Sequence, residues 1–308
     1  MAAGSVGEVY YVEEDFWPLN TTLWVKDFHG NEPKFVYELL TTFDFRRFSD
    51  KTGVPGVNRN DLHKATVVCP PVEFQKRIVL YLTAWNLAIE RTEQLIQSRQ
   101  RQRASLVSRI YSFSEREMRL GEFLTPNVRP VQKPNEPYWA LGIRSHGKGT
   151  FQRFVGNPQS VDMEKLFAVK ENDLIVNITF AWEGAIALVG PDDEGCFVSH
   201  RFPTYEFDTS VAIPEFVKHI VNRKQFFSKL SLISPGGAGR NRVLNKRDFL
   251  NLTIRLPEIG QQVQFARLLN ALDRIIDLES LQLQRLKSQK RGLMQKLLTG
   301  EWRVKANG

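Results

Sequence analysis

Two stretches of this 308-residue sequence repeat one another: VNRNDLHKATVVCPPVEFQKRI, which starts at Val57, and LNKRDFLNLTIRLPEIGQQVQF, which starts at Leu244. The residues of the first stretch that recur unchanged in the second are Asn58, Asp61, Thr66, Pro70 and Gln75. Each matched pair lies 187 positions apart, as Asn58 and Asn245 do, and the alignment runs without a gap as far as Ile110 and Leu297. A long internal period of this kind indicates a duplicated structural unit.

In both copies a short β-type run, residues 66–68 or residues 252–254, ends at a proline, and a long helical pattern follows. Apolar side chains then recur at alternating spacings of four and three over about five heptads, which predicts two long helices that pair along one seam. A helix packed on a globular core is the alternative interpretation. The residues predicted in the helix-pair interface are Ile78, Leu82, Trp85, Ile89, Leu269, Leu272, Ile276, Leu283, Leu286 and Leu293.

The repeat also reaches the N-terminus, where the stretch from Gly4 resembles the stretch from Gly184 with one gap. The first copy therefore has no counterpart of residues 113–183. We expect an α+β fold, in which domains with mixed β-sheets accompany two long antiparallel coiled-coil helices. The predicted divisions are a partial first domain at 1–75, a first helix at 76–112, a complete second domain at 113–262, a second helix at 263–300 and a tail at 301–308.

The net charge of +8 is concentrated on the two predicted helical segments, since residues 76–110 and residues 263–308 carry +5 each. A solvated helix face explains such charge as well as an acidic partner does, so charge alone gives modest support to nucleic-acid binding. Cys69 and Cys196 are predicted to be small buried apolar residues in a reducing, cytoplasmic environment. No apolar run reaches the length of a membrane span.

Several segments resemble one protein family. LPEIGQQVQFARLLNALDRIIDLE, at residues 256–279, and LKSQKRGLMQKLLTGEWRV, at residues 286–304, are similar to the start and end of the conserved helix in DNA specificity subunits of type I restriction-modification systems. Gly260 departs from the family pattern, in which Glu-Gln is commoner. Segments that resemble target-recognition domains of that family are TGVPGVNRNDL (52–62), GIRSHGKGTF (142–151), VNITFAWEGAIA (176–187) and SPGGAGRNRVLN (234–245).

The resemblance implies that each recognition domain reads one half of a bipartite site in double-stranded DNA. It also implies that the helix pair acts as a spacer and docks two methyltransferase subunits, and through them the restriction and translocase subunits. Because the first copy enters its domain halfway, we expect a specificity subunit truncated at the N-terminus, and self-association of this form through its helices is a further expectation. The alternatives are an inactive or cassette-like gene product and a coiled-coil interaction protein that does not bind DNA.

Polar turns and loops supply the candidate DNA contacts. Their backbone amides and forked arginine donors can approach phosphates, and an asparagine can pair with an adenine edge. An ordinary hairpin or a solvated surface loop is the competing interpretation for these segments. His200 and Arg201 directly precede a strand expected to start at Phe202, and a structural histidine is the alternative for His200. Trp182 is expected in the core, with base stacking as the alternative. The candidates are Arg144, Ser145, His146, Lys148, His200, Arg201, Arg240, Asn241 and Arg242 in the second domain and Arg46, Arg47 and Lys51 in the first.

The sequence has no recognisable catalytic motif. Gly142-x4-Gly147-Lys148 nearly forms a nucleotide-binding loop, but Gly149 stands where a magnesium-binding Ser or Thr is required, and a strand pattern follows in place of a helix. The histidines and cysteines lack zinc-ligand spacing. We therefore predict a non-catalytic recognition subunit without a cofactor or metal of its own. The resemblance implies that S-adenosylmethionine, ATP and magnesium bind to partner subunits only, and a fused methyltransferase domain would not fit in this length.

Overall fold

The computed structural model describes residues 7–19, 22–48, 56–236, 242–298 and 301. It forms two compact units, the first made of residues 1–98 and 277–308 and the second of residues 99–276. The helices are α1 Pro33–Thr41, α2 Arg59–Leu62, α3 Val72–Phe113, α4 Pro214–Val221, α5 Lys224–Leu232, α6 Lys246–Asn251 and α7 Ile259–Leu298. The strands among the described residues all belong to the second unit, and they are β1 Arg116–Arg119, β2 Leu124–Pro126, β3 Pro130–Gln132, β4 Tyr138–Ile143, β5 Thr150–Val155, β6 Lys165–Ala168, β7 Leu174–Val176, β8 Ile186–Leu188, β9 Phe197–Val198, β10 Thr204–Phe207 and β11 Thr253–Leu256.

The two long helices, α3 and α7, each begin four residues before the predicted position. In α3 the carbonyl of Pro71 accepts hydrogen bonds from the backbone N–H groups of Phe74 and Gln75, at 2.9 and 3.1 Å, and the carbonyl of Glu258 takes this place for α7. A proline before the first turn fixes φ near the helical value and has no N–H to satisfy, so it favours this early start. The heptad pattern begins one turn later than the backbone helix does, which explains the difference.

A buried glutamine near the start of each long helix holds the adjacent short helix. In the first unit, Oε1 of Gln75 accepts a hydrogen bond at 2.8 Å from the backbone N–H of Glu32, just before α1, while Nε2 donates to the carbonyl of the proline five residues earlier. Gln262 makes the same two bonds in the second unit, with the N–H of Ile213, just before α4, at 2.9 Å. The repeat in the sequence is therefore also a repeat of contacts.

The two long helices pair antiparallel in both units. In the first unit, Ile78 and Leu82 from the early part of α3 share a buried cluster with Met294 and Leu297 from the late part of α7. In the second unit, the end of α3 shares a core with the start of α7. These contacts confirm the antiparallel arrangement. The residues predicted in the helix-pair interface are all buried or half-buried.

A buried carboxylate joins the short helix of the first unit to both long helices. Glu38 lies on α1 and is only 4% exposed. Its Oε1 accepts a hydrogen bond at 2.7 Å from Nδ2 of Asn86 on α3, and its Oε2 accepts one at 3.1 Å from Nζ of Lys290 on α7. A buried charge needs such partners, and losing one of them would leave it uncompensated.

The second unit has a histidine at the equivalent place. His219 of α4 is 2% exposed and accepts a hydrogen bond at Nδ1 from Nη2 of Arg103, at 3.0 Å, and Arg103 also forms an ion pair with Asp273. Because arginine only donates, Nδ1 carries no proton, so Nε2–H donates to Oδ1 of Asn270 at 2.9 Å. Burial, helped by the charges of Lys218 and Arg103, lowers the pKa of His219 to about 4.

These two polar junctions occupy matched positions of the repeat. In each, one residue comes from the short helix, one from the long helix of the same copy and one from the long helix of the other copy. The equivalent pairs are Glu38 and His219, Asn86 and Asp273, and Lys290 and Arg103. The place of the junction is thus preserved although its side chains differ.

Three sheets build the rest of the second unit, in the orders β1-β11, β2-β10-β7-β8 and β3-β6-β9-β4-β5. The five-stranded sheet is mixed because β9 runs parallel to β4, whereas the other pairings are antiparallel. Strand β7 lies between two cores, since Leu174 and Val176 belong to one buried cluster and Ile175 to another. The chain that connects β7 to β8 therefore starts and ends in a strand pair with buried faces on both sides.

The first copy differs from the prediction at residues 66–68, which lie outside any strand. The equivalent run of the second copy, β11, is held by pairing with β1, whereas no strand among the described residues pairs with residues 66–68. Likewise β8, β9 and β10 pair with strands that lie between residues 113 and 183. This part of the sequence has no counterpart in the first copy. The matching residues near the N-terminus form no strand where they are described, and Trp17 is 93% exposed.

The neutral His219 predicts that acid destabilises the second unit. The unfolded chain protonates a histidine near pH 6.5, whereas the folded chain does so only at about pH 4, so the unfolded state binds more protons between these values. Stability is therefore lost as the pH falls below 6.5. We expect the free energy of unfolding to decrease by about 1 to 2 kcal/mol between about pH 7 and pH 5 through this residue.

Denaturant titrations at several pH values measure this effect. His219→Gln keeps an acceptor for Arg103 and a donor for Asn270 but cannot titrate, so we expect it to remove that part of the pH dependence. The same substitution at the exposed His200 is the matched control and should leave the dependence unchanged. Equal pH profiles for the wild type and His219→Gln would show that His219 is not the titrating group.

Candidate nucleic-acid interface

Polar segments of the second unit meet around residues 177–184, the connection between β7 and β8. A 3-10 turn at Ala181–Glu183 ends at Gly184, whose φ of 79° favours glycine. A Cβ at Gly184 would also lie 2.8 Å from the ring of Phe227, so packing requires glycine here as well. Because the flanking strands are buried, this connection forms a rigid support for the turns that contact it.

The turn between β4 and β5, residues 144–149, is hydrogen-bonded to this support. The backbone N–H groups of His146 and Gly147 donate to two carbonyls of the connection at 2.8 and 3.0 Å, and the hydroxyl of Ser145 donates to the carboxylate of Glu183 at 2.7 Å. Ser145 therefore holds the turn in place. The other predicted contacts of this turn have exposed side chains, and they are Arg144, His146 and Lys148.

The segment 199–202 adds a further cation. Its backbone is fixed because the carbonyl of Arg201 accepts a hydrogen bond at 3.0 Å from the N–H of Ile178, and Nη1 of Arg201 donates to the hydroxyl of Thr179 at 3.2 Å. Arg201 and His200 are exposed. They lie in a turn, and the strand that follows begins only at Thr204, because Pro203 has no N–H for a ladder.

Arg242 makes its contacts inside the protein. Its Nε donates to the carbonyl of Ser234 at 3.0 Å, and its Nη2 donates to the carbonyl and hydroxyl of Ser231 at 2.7 and 2.8 Å. Its guanidinium also lies over the ring of Trp182, 5.0 Å from Cζ to the ring centroid, and Trp182 is half-buried rather than a fully buried core residue. These contacts make Arg242 an anchor of its loop, and direct DNA contact by this residue stays a prediction.

The remaining candidates divide between the first unit and positions outside the described residues. Arg46 and Arg47 lie in a 3-10 turn at Phe45–Phe48 and are exposed, and Nε of Arg47 pairs with Asp44 at 3.3 Å. An exposed ion pair contributes little stability, so Arg47 can exchange this partner for an anionic ligand. The candidates outside the described residues are Lys51, Arg240 and Asn241.

We call residues 144–149, 177–184, 199–202 and 242–245 the turn cluster. The last of these segments is attached to the support at residues 177–184 by a hydrogen bond at 2.9 Å from the N–H of Leu244 to the carbonyl of Ile178. The cluster presents the exposed cations of Arg144, Lys148 and Arg201. Cationic and polar turns on a rigid support can contact DNA phosphates and the edges of nucleobases. The structure therefore brings together those candidates of the second unit that lie among the described residues.

Two residues of the β4–β5 hairpin escaped the sequence-based prediction. The ring of Phe151 lies across Gly142 on the neighbouring strand, where a Cβ would be 2.4 Å from a ring atom. The guanidinium of Arg144 lies over the same ring, 5.1 Å from Cζ to the ring centroid. A glycine inside the apolar run at residues 138–143 was the available signal.

The cluster has the chemistry of a binding surface. Among the described residues, no group of three or more His, Cys, Asp or Glu side chains is placed to hold a metal ion. None of the helices in the described part of the chain is long and apolar enough to cross a membrane. The groups that the turn cluster offers are cations and hydrogen-bond donors, which suit an anionic, base-bearing ligand.

Comparison with known proteins relates the chain to one family. The pattern of the type I restriction modification DNA specificity domain matches residues 123–288. The chain is 22% identical to the MjaX type I restriction enzyme specificity subunit of Methanocaldococcus jannaschii, over 89% of this chain and 69% of that protein. It is 21% identical to the MjaVIII specificity subunit of the same organism, over 87% and 70%.

Solved structures share the fold. The S subunit of the M. genitalium type I restriction-modification system superimposes with a TM-score of 0.54 at 15% identity, covering 87% of this chain and 72% of that one. A chain from a structure described for complex assembly and conformational transition of the type I R-M system gives a TM-score of 0.51 at 17% identity, covering 88% and 72%. Since the family pattern matches more than half of the sequence, the chain belongs to the type I restriction-modification DNA specificity family.

Proposed function

We propose that this chain binds double-stranded DNA in a sequence-specific manner and directs methyltransferase and restriction subunits to the bound site. The observation that carries the proposal is the turn cluster in a chain of the DNA specificity family. In this cluster the exposed Arg144, Lys148 and Arg201 lie in turns that are bonded to one support, residues 177–184. Cations at fixed positions neutralise phosphates and set the register, while donors between them reach base edges.

Recognition without catalysis fits the groups of the cluster. Its acidic side chain, Glu183, accepts a hydrogen bond from Ser145 and so serves to hold a turn. We propose that the chain acts without a cofactor of its own, and that S-adenosylmethionine, ATP and magnesium bind to the partner subunits. The chain would then select the DNA site, and its partner subunits would carry out the reaction.

We further propose that the long helices dock the methyltransferase subunits. Leu268 and Ile275 lie seven residues apart on one face of α7, and they are 50% and 40% exposed. Apolar side chains exposed together on a helix outside its seam are a mark of a protein contact.

The DNA-binding proposal predicts a change in salt dependence. Lys148→Ala and Arg201→Ala should each weaken binding to all duplex sequences and lower the slope of log affinity against log salt by about one unit, because each loses one phosphate contact. Fluorescence anisotropy with labelled duplexes at several salt concentrations measures both quantities. Arg255→Ala, an exposed arginine on β11 and outside the turn cluster, is the matched control. Unchanged affinity and slope in both variants would remove the turn cluster from the interface.

The docking proposal predicts a loss of assembly without a loss of folding. Replacing Leu268 and Ile275 together by Ser should abolish co-purification with the methyltransferase subunits, because the contact loses its apolar area. The midpoint of thermal unfolding should stay within a few degrees, since both side chains are exposed in the free chain. Arg274→Ser, an exposed neighbour on α7, is the control. Normal assembly by the double variant would show that the partner binds elsewhere.

A further inference from the structure

Arg144 is exposed, yet its side chain is held in one orientation. Its guanidinium lies over the ring of Phe151, 5.1 Å from Cζ to the ring centroid, and its Nη1 donates to the carbonyl of Thr150. A long exposed side chain ordinarily loses rotamer freedom when it binds a ligand, and here part of that loss occurs before binding. The other N–H groups of Arg144 have no hydrogen-bond partner among the described residues, so a fork of donors remains for a ligand.

The platform under Arg144 is itself fixed by a glycine. Gly142 pairs with Phe151 in the β4–β5 register, and a Cβ at Gly142 would lie 2.4, 2.6 and 3.0 Å from three atoms of the ring. Any side chain there would force the ring to move, and the guanidinium would lose its support. Glycine weakens a strand interior, so its presence in β4 calls for a reason of this kind.

The other cations of the turn cluster lack this combination. Among the described residues, the cluster's contacts between a cation and a ring are those of Arg144 and Arg242, and Arg242 has its Nε and Nη2 bonded to Ser234 and Ser231. Lys148 is a point charge on a flexible stem and has no planar fork. Arg201 is exposed and donates from Nη1 to the hydroxyl of Thr179, but among the described residues no ring contacts its guanidinium. Arg144 is therefore the exposed cation of the cluster that a ring supports from one face.

We propose that Arg144 reads a guanine in the DNA sequence recognised by the second unit, and that Phe151 and Gly142 are positioning residues that orient its guanidinium. The inference rests on the proposed function and specifies one contact of it. Two N–H groups on one edge of a guanidinium match the O6 and N7 acceptors of guanine in the major groove, provided that the guanidinium lies close to the plane of the base. A phosphate contact needs no fixed plane, so the oriented side chain points to a base.

Mapping of methylated sites tests the proposal in the assembled complex. The full chain is co-expressed with its methyltransferase subunits, and the methylated motif is determined by sequencing. In Arg144→Lys, which keeps the charge and loses the fork, one guanine position of the motif should become degenerate, with discrimination against other bases there reduced about 10- to 100-fold. The other positions should keep their preference, and the salt slope of DNA binding should stay the same.

Gly142→Ala tests the positioning role. Displacing the Phe151 ring should relax the same guanine position and no other, which a merely structural glycine would not do. Gly156→Ala, where the nearest atom of Phe154 would lie 3.5 Å from the new Cβ, is the matched control and should keep the motif. Thermal unfolding of each variant establishes that it folds, and Arg144→Lys tests the base contact even where Gly142→Ala does not fold.

A modified base supplies the independent readout. 7-Deazaguanine lacks the N7 acceptor, so at this position it should weaken binding by the wild type about tenfold and leave binding by Arg144→Lys unchanged. A uniform loss of methylation with an unchanged motif in Arg144→Lys would identify a phosphate contact; it would overturn this proposal and leave the proposed function standing. A wild-type complex that methylates no defined motif, with a chain that binds no DNA, would instead overturn the proposed function and this inference with it.

Discussion

The antiparallel seam between α3 and α7 is the contact on which both units are built. In each unit the two helices bury apolar side chains against one another and against a short helix of the adjoining domain. The buried amides of Gln75 and Gln262 then fix where that short helix starts. The same positions of the repeat thus make these contacts twice, once in each unit.

The candidate interface follows from burial in the second unit. Strand β7 is buried against two cores, so its connection to β8 has little freedom, and the turns that bond to this connection inherit its position. Arg242 donates to Ser234 and Ser231 and lies over Trp182, and Phe151 supports Arg144. Binding groups held in this way lose less entropy when they meet a ligand. The rigid interior of the domain therefore bears directly on how selectively its surface can bind.

Long-period features were predictable from the sequence, and contacts between distant turns were not. The repeat and the heptads predicted two long helices that pair along one seam, since both patterns are carried by sequence spacing alone. The β-type run at residues 66–68 was wrongly expected to form a strand, because a strand also needs a partner. Arg103 and Lys290 fall at seam positions of the heptad pattern. Their partners on α4 and α1 became apparent only in three dimensions.

The roles of individual arginines show the same limit. Arg144 and Arg242 look alike in the sequence, as basic residues of polar loops, and the difference between them is the set of acceptors that the fold places around each. Gly142 gave a signal, a glycine within a strand pattern, but its meaning depended on the register that sets Phe151 opposite. Sequence spacing does not encode burial or register. These two properties decide which loop residues bond within the protein and which remain available to bind a ligand.

Hydrogen–deuterium exchange of the full chain, alone and bound to a duplex selected from a random-sequence library, tests the central claim most directly. The claim is that the turn cluster is the DNA-binding surface. It predicts that DNA slows backbone exchange in residues 144–149, 177–184 and 199–202 and leaves β1 and β11 unchanged. Slower exchange confined to α3 and α7, with the turn cluster unaffected by DNA, would contradict it.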